Sequence, residues 1–218
     1  LVEGNRFSRI GKAADLADAR ADRVIDGRHL VITPGFLNGH MHISYAHPVR
    51  GIFPDEQASP LVHVFNLQTA MTEEEEYQAT LLGLVELVKN GTVCFLDPGS
   101  TKFPDACLQA YEDSGMRVIL GECVTDQPAP FTLPRYDAPE AVARTTSFIA
   151  KWNGRLEGRI RAWAMPFSHE TCSAGLLEAL KRVADEHRTG LTLHHGSGNK
   201  ARQDSIARHG YTPTAYLE

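Results

Sequence analysis

The stretch 32-ITPGFLNGHMH-42 decides how this chain is read. An apolar run broken by Pro34, Gly35 and Gly39 ends in two histidines one residue apart, His40 and His42. In an extended strand, residues i and i+2 face the same side. Their Cα atoms lie about 6–7 Å apart, from a rise of ~3.3 Å per residue. Two imidazoles at that separation can converge on one metal ion through bonds near ~2 Å. Met41 between them then points the other way, into the packing, while the glycines let the backbone turn sharply. A His-x-His pair at a strand end is good metal chemistry but does not by itself establish a metal site; a third ligand should come from another strand.

Downstream, the chain alternates. Thr72 and Glu75 form a capping box, and the carboxylates of Glu73 to Glu76 suit the positive end of a helix dipole. Tyr77, Leu81, Leu84, Val85 and Val88 continue at helical spacing to Asn90-Gly91. The segment 92-TVCFLD-97 reads as a buried strand, 104–113 as a helix stopped at Ser114-Gly115, and 116-MRVILGECV-124 as a strand. Asp137, Pro139 and Glu140 open a helix to about Trp152. Then come a strand at 159-RIRAWAMPF-167, a helix from Ser173 to about His187, and a strand at 191-LTLHH-195. Strands alternating with helices predict a parallel sheet.

A (β/α)8 barrel places its functional residues at the C-terminal strand ends. His40 and His42, Asp97, Thr125 and Asp126, His169 and His194 all fall there, and the first strand ends in histidines rather than a glycine-rich phosphate loop. The fold class expected is therefore α/β: a partial (β/α)8 TIM-type barrel, about five of eight units, over residues 34–218. Residues 1–33 stand outside the rhythm, with short strand-like pieces at NRFSRIG and RVIDGRHLVI. Thr212 and Pro213 open a further helix near the end, so the chain is expected to be a fragment.

Composition narrows the function. The 218 residues carry 27 acids and 22 bases, net −5, with 42% hydrophobic residues. No basic cluster offers a nucleic-acid partner, and no apolar run reaches the ~18–20 residues of a membrane span. The partner expected is a small-molecule substrate, with a homo-oligomer as the protein's own association. Cys94, Cys107, Cys123 and Cys172 are widely spaced without a CxxC pair, which suits reduced thiols and a cytoplasmic location. The TEEEE block at 72–76 reads as a solvated helix start. His29, His63, His187 and His209 read as surface or local hydrogen-bonding residues. Of the adjacent His194 and His195, only one can face a site, because neighbouring strand residues point to opposite sides. Arg50, His47 and Thr125, on strand-end loops, could touch a substrate but read first as ordinary loop residues, so the residues name no catalytic or substrate-binding group.

The residues also carry a family likeness. VITPGFLNGHMH closely resembles the PGFxxxHxH signature of the amidohydrolase superfamily. NRFSRIG and DRVIDGRHL resemble the first strands of the small β-sandwich beside its barrel. LVELVKNGTVCFLD is similar to the second-strand region of the cytosine-deaminase-like and triazine-hydrolase-like branch, and ARHGYTPTAYLE to the helix after strand 5. The resemblance covers the N-terminal part of such a protein. It implies one divalent metal ion, zinc or iron, held by His40, His42 and His194. The distance to HGYTP selects His194 over His195, and RAWAMPFSHE lacks the bridging lysine of two-metal members. A strand-6 histidine and a strand-8 aspartate would lie beyond Glu218, so this stretch alone is expected to be inactive.

The activity implied is metal-assisted hydrolysis of a carbon–nitrogen bond, other than a peptide bond, in a small nitrogen-containing compound such as an aminated heterocycle. In one place the likeness breaks. Deaminases of this branch carry a glutamate three residues after the strand-5 histidine; here that position is Ser197, which cannot serve as a carboxylate acid/base. His195 or the strand-8 aspartate could substitute. The alternatives are hydrolysis of an amide or another leaving group, and a non-catalytic metal-binding relic, which Ser197 favours.

Overall fold

A computed structural model describes residues 1–44, 49, 51–52, 60–99, 101–129 and 133–218, without the side chains of 60–63. The chain divides into two compact units, Leu1–Pro34 and Gly35–Glu218.

In the first unit, β1 (Val2–Glu3) and β2 (Arg6–Phe7) form an antiparallel hairpin, with Val2 opposite Phe7. A 3-10 turn follows at Ala13–Leu16, and Arg9 joins it to the hairpin through Asp18 and the Asp15 carbonyl. The strand expected within RVIDGRHLVI is not formed. Val31 and Ile32 are each 89% exposed. A strand needs a neighbour to take its ladder hydrogen bonds, and none of the described residues supplies one here.

The second unit follows the βα rhythm. Its elements are β3 (Phe36–Asn38), α1 (Pro60–Ala70), α2 (Glu73–Lys89), β4 (Thr92–Asp97), α3 (Pro104–Ser114), β5 (Arg117–Leu120), β6 (Cys123–Val124), α4 (Ala138–Trp152), β7 (Ile160–Ala162), β8 (Met165–Pro166), α5 (Ala174–Glu186), α6 (Asn199–His209) and α7 (Pro213–Leu217). The expected caps form. Thr72 and Glu75 make the reciprocal capping box of α2, Asp137 accepts from Glu140 N at 2.8 Å, and Ser173 and Thr212 cap α5 and α7. Gly115 ends α3 in the left-handed conformation, φ 70°.

Every sheet pairing in this unit is parallel, in the order β3-β4-β5-β7, with β6 and β8 paired beyond. Each of the two middle strands read from the sequence is thus split. The break has a packing cause at Gly121, where a Cβ would lie 2.4 Å from the Trp163 carbonyl oxygen and 2.6 Å from the Met165 side chain. The two chains pass too closely for a side chain. The segment 191–195 is not a regular strand. It meets its neighbour at two isolated parallel bridges, Ala164 to Leu191 and Ser168 to His194. Thr192 N donates to Ala164 O and His194 N to Phe167 O. Two residues on one side span three on the other, which interrupts the ladder.

The main core joins sheet residues Phe95, Val118, Leu120, Ile160 and Ala162 to Leu84 of α2, Tyr111 of α3, and Ile149 and Trp152 of α4. A second core sets Leu176, Leu180 and Ala184 of α5 against Val124 and Ala164. The TEEEE block is not wholly solvated: Glu76 is fully buried. Its carboxylate accepts from the backbone N–H groups of Lys102 and Phe103 and so ties α2 to the β4–α3 loop. All four cysteines are free thiols, three of them buried. Among the described residues, no helix is long and apolar enough to cross a membrane.

Candidate metal centre

The strand ends of the second unit bring His40, His42 and His194 together, with ligand atoms within 4.8 Å of one another. Among the described residues they are the one group of three or more such side chains close enough to share an ion. The ring centroids of His40 and His42 lie 4.8 Å apart, and those of His40 and His194 5.1 Å. His42 and His194 are stacked 5.2 Å apart, with their Nε2 atoms 3.2 Å from each other.

Each arm of the cluster has a local cause. Beyond β3 the pairing with β4 continues through Met41 N donating to Leu96 O at 2.9 Å. Met41 packs against the main core, which leaves His40 and His42 on the other side. The His40 N–H is held by the Asn38 side-chain oxygen at 3.1 Å. On the other arm, His194 Nδ1 lies 2.9 Å from Phe167 O. A carbonyl only accepts, so Nδ1 carries the proton and Nε2 keeps its lone pair for the centre.

Burial favours the neutral form of two of the rings, His42 and His194. It lowers the His42 pKa to about 2, helped by the His194 and His40 rings. His194 is lowered too, by burial first, against the opposing Phe167 hydrogen bond. Neutral imidazoles with converging lone pairs are the donor set that zinc and similar divalent ions take up. The residues present therefore fit one such ion.

The other sequence candidates go elsewhere. His195, the alternative strand-5 ligand, turns to α7, its Nε2 3.0 Å from Thr214 Oγ1. Thr125 is buried, and its hydroxyl donates to Pro134 O at 2.8 Å, so it ties a loop rather than facing a substrate. Asp126 caps α5 through Ser173 N at 2.7 Å and the Ser173 hydroxyl. Asp97 is buried at the end of β4, where its charge lies against Cys107 and Tyr111. His209 stacks on Tyr216 at 4.1 Å. His47 and Arg50, and the side chain of His63, lie outside the described residues.

One wall of the site was not foreseen. The Phe167 ring lies 4.5 Å from that of His194, and Phe65 stands 6.2 Å behind Phe167. Val64 and Leu133 complete this apolar patch. A cavity of about 690 Å³ meets it at Phe65 and Leu133 and runs on past Tyr136, Arg144, Phe148 and Trp152. None of the three histidines lines that cavity, so it adjoins the wall and is not itself the metal site.

Three imidazoles gathered beside parallel strands give this α/β chain a cluster that could hold a metal ion. The model of the Amidohydrolase family matches residues 31–218, and the chain belongs to that family. Among curated proteins it is 30% identical over 220 residues to 5'-deoxyadenosine deaminase of Methanobrevibacter smithii, covering 100% of this chain and 48% of the relative. It is likewise 30% identical to 5-methylthioadenosine/S-adenosylhomocysteine deaminase of Carboxydothermus hydrogenoformans, over 100% of this chain and 49% of the relative. The chain thus spans about half the length of the curated relatives it matches. Among solved structures it resembles a variant of atrazine chlorohydrolase from Arthrobacter aurescens TC1 complexed with zinc and atraton. That likeness has a TM-score of 0.79 at 21% identity, over 100% of this chain and 52% of the other. An adenosine deaminase from Xanthomonas campestris with bound zinc gives 0.70 at 24% identity, over 84% and 41%. At these identities the structural likenesses show the fold.

Proposed function

We infer that the protein containing this chain is a metal-dependent hydrolase of carbon–nitrogen bonds, which removes ammonia from an aminated heterocycle. The observation that carries the reading is the convergence of His40, His42 and His194 at the ends of parallel strands. The metal proposed is one divalent ion, zinc before iron, held by these three side chains. The scaffold proposed is the first five or so units of a (β/α)8 barrel, residues 34–218, with residues 1–33 contributing strands to a composite β-sandwich. The free, mostly buried cysteines suit a cytoplasmic setting.

A divalent ion in such a site lowers the pKa of water toward ~7 and so supplies a nucleophile at neutral pH. The chain's own residues do the rest. Phe167 O holds the tautomer of His194. The Phe167 ring, backed by Phe65, offers a planar heterocycle an apolar surface beside His194. Relatives named for adenosine-type substrates put 6-aminopurine nucleosides first among the compounds to try.

The test uses the full-length protein, stripped of metal and reloaded with zinc or iron. Ammonia release is measured across aminated purines, pyrimidines and triazines. Turnover of at least one compound, dependent on metal and abolished in His42→Ala, is expected. Zinc binding without ammonia release from any of them would favour the relic reading that Ser197 raises.

A further inference from the structure

Hydrolysis of a C–NH2 bond needs more than a nucleophile. A proton must leave water and another must reach the departing nitrogen, because an amide anion is too poor a leaving group at neutral pH. Three imidazoles clustered to hold an ion through their lone pairs are not free to shuttle the protons of the reaction. Among the described residues, several of the remaining polar groups at these strand ends are held elsewhere. Asp97 lies on the core side with Cys107 and Tyr111, Asp126 caps α5, and His195 is bonded to Thr214.

Glu170 is different. It stands two residues past Ser168, which bridges directly to His194. The turn that carries it is fixed on several sides. Thr171 N donates to Ser168 O, and Thr171 O accepts from Asp126 N and Gln127 N. The hydroxyls of Ser168 and Thr171 lie 3.1 Å apart, and the Cys172 thiol donates to Val124 O. On the facing segment, Gly196 and Gly198 adopt positive φ, 69° and 119°, and present Ser197 between them. The Ser197 hydroxyl donates to Glu170 Oε2 at 3.3 Å. Glu170 is partly exposed and forms no ion pair among the described residues. The titratable neighbours of this corner are His169, whose ring senses the Glu170 charge, His195 and His209.

The geometry points to Glu170 as the proton carrier of this site, with Ser197 as the residue that aims it. The segment after His194 thus has no carboxylate of its own and borrows one from the turn after β8. This rests on the hydrolase reading above. In the step, the water oxygen forms the new C–O bond and one water proton passes to the Glu170 carboxylate. The C–N bond breaks, and the nitrogen takes that proton from Glu170 and leaves as ammonia. The other water proton stays with the product, on its hydroxyl or the adjacent ring nitrogen. Glu170 ends as it began, and no electrons change hands.

Two measurements test this on the full-length, zinc-loaded protein. In its crystal structure the Glu170 carboxylate should lie within about 5 Å of the ion, the reach of one intervening water. A separation beyond about 8 Å overturns the proposal, whether or not a substrate has been found. In kinetics, Glu170→Gln should lower kcat by roughly 10²–10⁴-fold with KM little changed. The acidic limb should vanish from its pH profile, and its zinc content should match wild type. Adding Ser197→Glu to Glu170→Gln should recover at least about tenfold in kcat, since the carboxylate then comes from the facing segment. Loss of zinc in Glu170→Gln would mark a structural role and count against the proposal, as would a kcat within a few-fold of wild type or a double variant no better than the single. A wild type silent on every compound would instead sink the hydrolase reading and leave the crystallographic distance to decide the place of Glu170.

Discussion

The two arms of the histidine cluster are built by different means. The His40/His42 arm rides on a ladder: β3 pairs with β4 at Phe36–Thr92, Leu37–Cys94 and Asn38–Phe95, and Met41 N extends the pairing. The segment just past Asn38, held to β4 at Met41 N, sets both rings on the side away from the core. The His194 arm has no ladder. It touches its neighbour at isolated bridges, and one bond, Nδ1 to Phe167 O, turns its ring inward. Distributed backbone pairing tolerates local insult, whereas a single side-chain anchor does not. The comparison predicts a robust arm and a sensitive one.

Removing a ligand has the largest expected effect. His42→Ala and His194→Ala should each weaken zinc binding by more than about 10²-fold, because disturbing even a group behind a ligand costs 10–100-fold. Competition against a chelating dye measures this. Retention of affinity within about tenfold in either variant would remove that residue from the centre.

Acid should find the buried ring. The His42 pKa falls from 6.5 free to about 2 folded. Between those values the unfolded chain binds the proton and the folded one does not. Stability of the metal-free protein from this group is therefore fully present above pH 6.5 and declines as pH falls toward 2. His42→Gln should flatten the slope of unfolding free energy against pH across that window, as read by denaturant titration. An unchanged slope would mean the ring is not buried in solution.

Gly121→Ala separates the arms. The added methyl group meets the Trp163 carbonyl at 2.4 Å, at the break between the β5/β7 and β6/β8 pairings. Overpacking of this kind costs about 1–3 kcal/mol. The displaced strand is the one that leads to Phe167, so His194 should lose its aim while His40 and His42 keep theirs. A melting temperature lowered by several degrees, together with weakened zinc binding, is expected. Loss of stability with zinc affinity intact would show that the bridge arm is sturdier than its hydrogen bonds suggest.

The same contrast explains what was legible in the sequence. His40 and His42 could be read because a period of two is local, as are the caps at Thr72, Asp137, Ser173 and Thr212. From the residues alone His194 could not be separated from His195; a likeness to other chains made the choice. What distinguishes them physically is the Phe167 carbonyl, 27 residues away. The split strands, the burial of Glu76 and the absence of a strand at 23–32 escaped for the same reason. Each depends on what a distant segment supplies: the Trp163 backbone, the Lys102 and Phe103 N–H groups, or, for Val31 and Ile32, a pairing partner that no described residue provides. The signal that could have exposed Glu76 was its place at the inward position of a helix whose Thr80, Leu84 and Leu87 face the core.

The smallest effect sharpens the claim about the ladder arm. Asn38 is the last residue of β3, and its side-chain oxygen holds the His40 N–H at 3.1 Å. His40 is the exposed member of the trio, so this bond limits the swing of its backbone beyond the last β3–β4 pair. Asn38→Ala removes it but leaves the ladder and Met41 in place. If pairing carries this arm, zinc affinity should fall only about tenfold, near the lower limit for a group that orients a ligand. Thermal stability should change by less than about 1 kcal/mol, because the freed N–H reaches water at this exposed position. A loss as large as that of His42→Ala would reverse the comparison. The ladder would then be insufficient, and each arm would hang on one side-chain hydrogen bond.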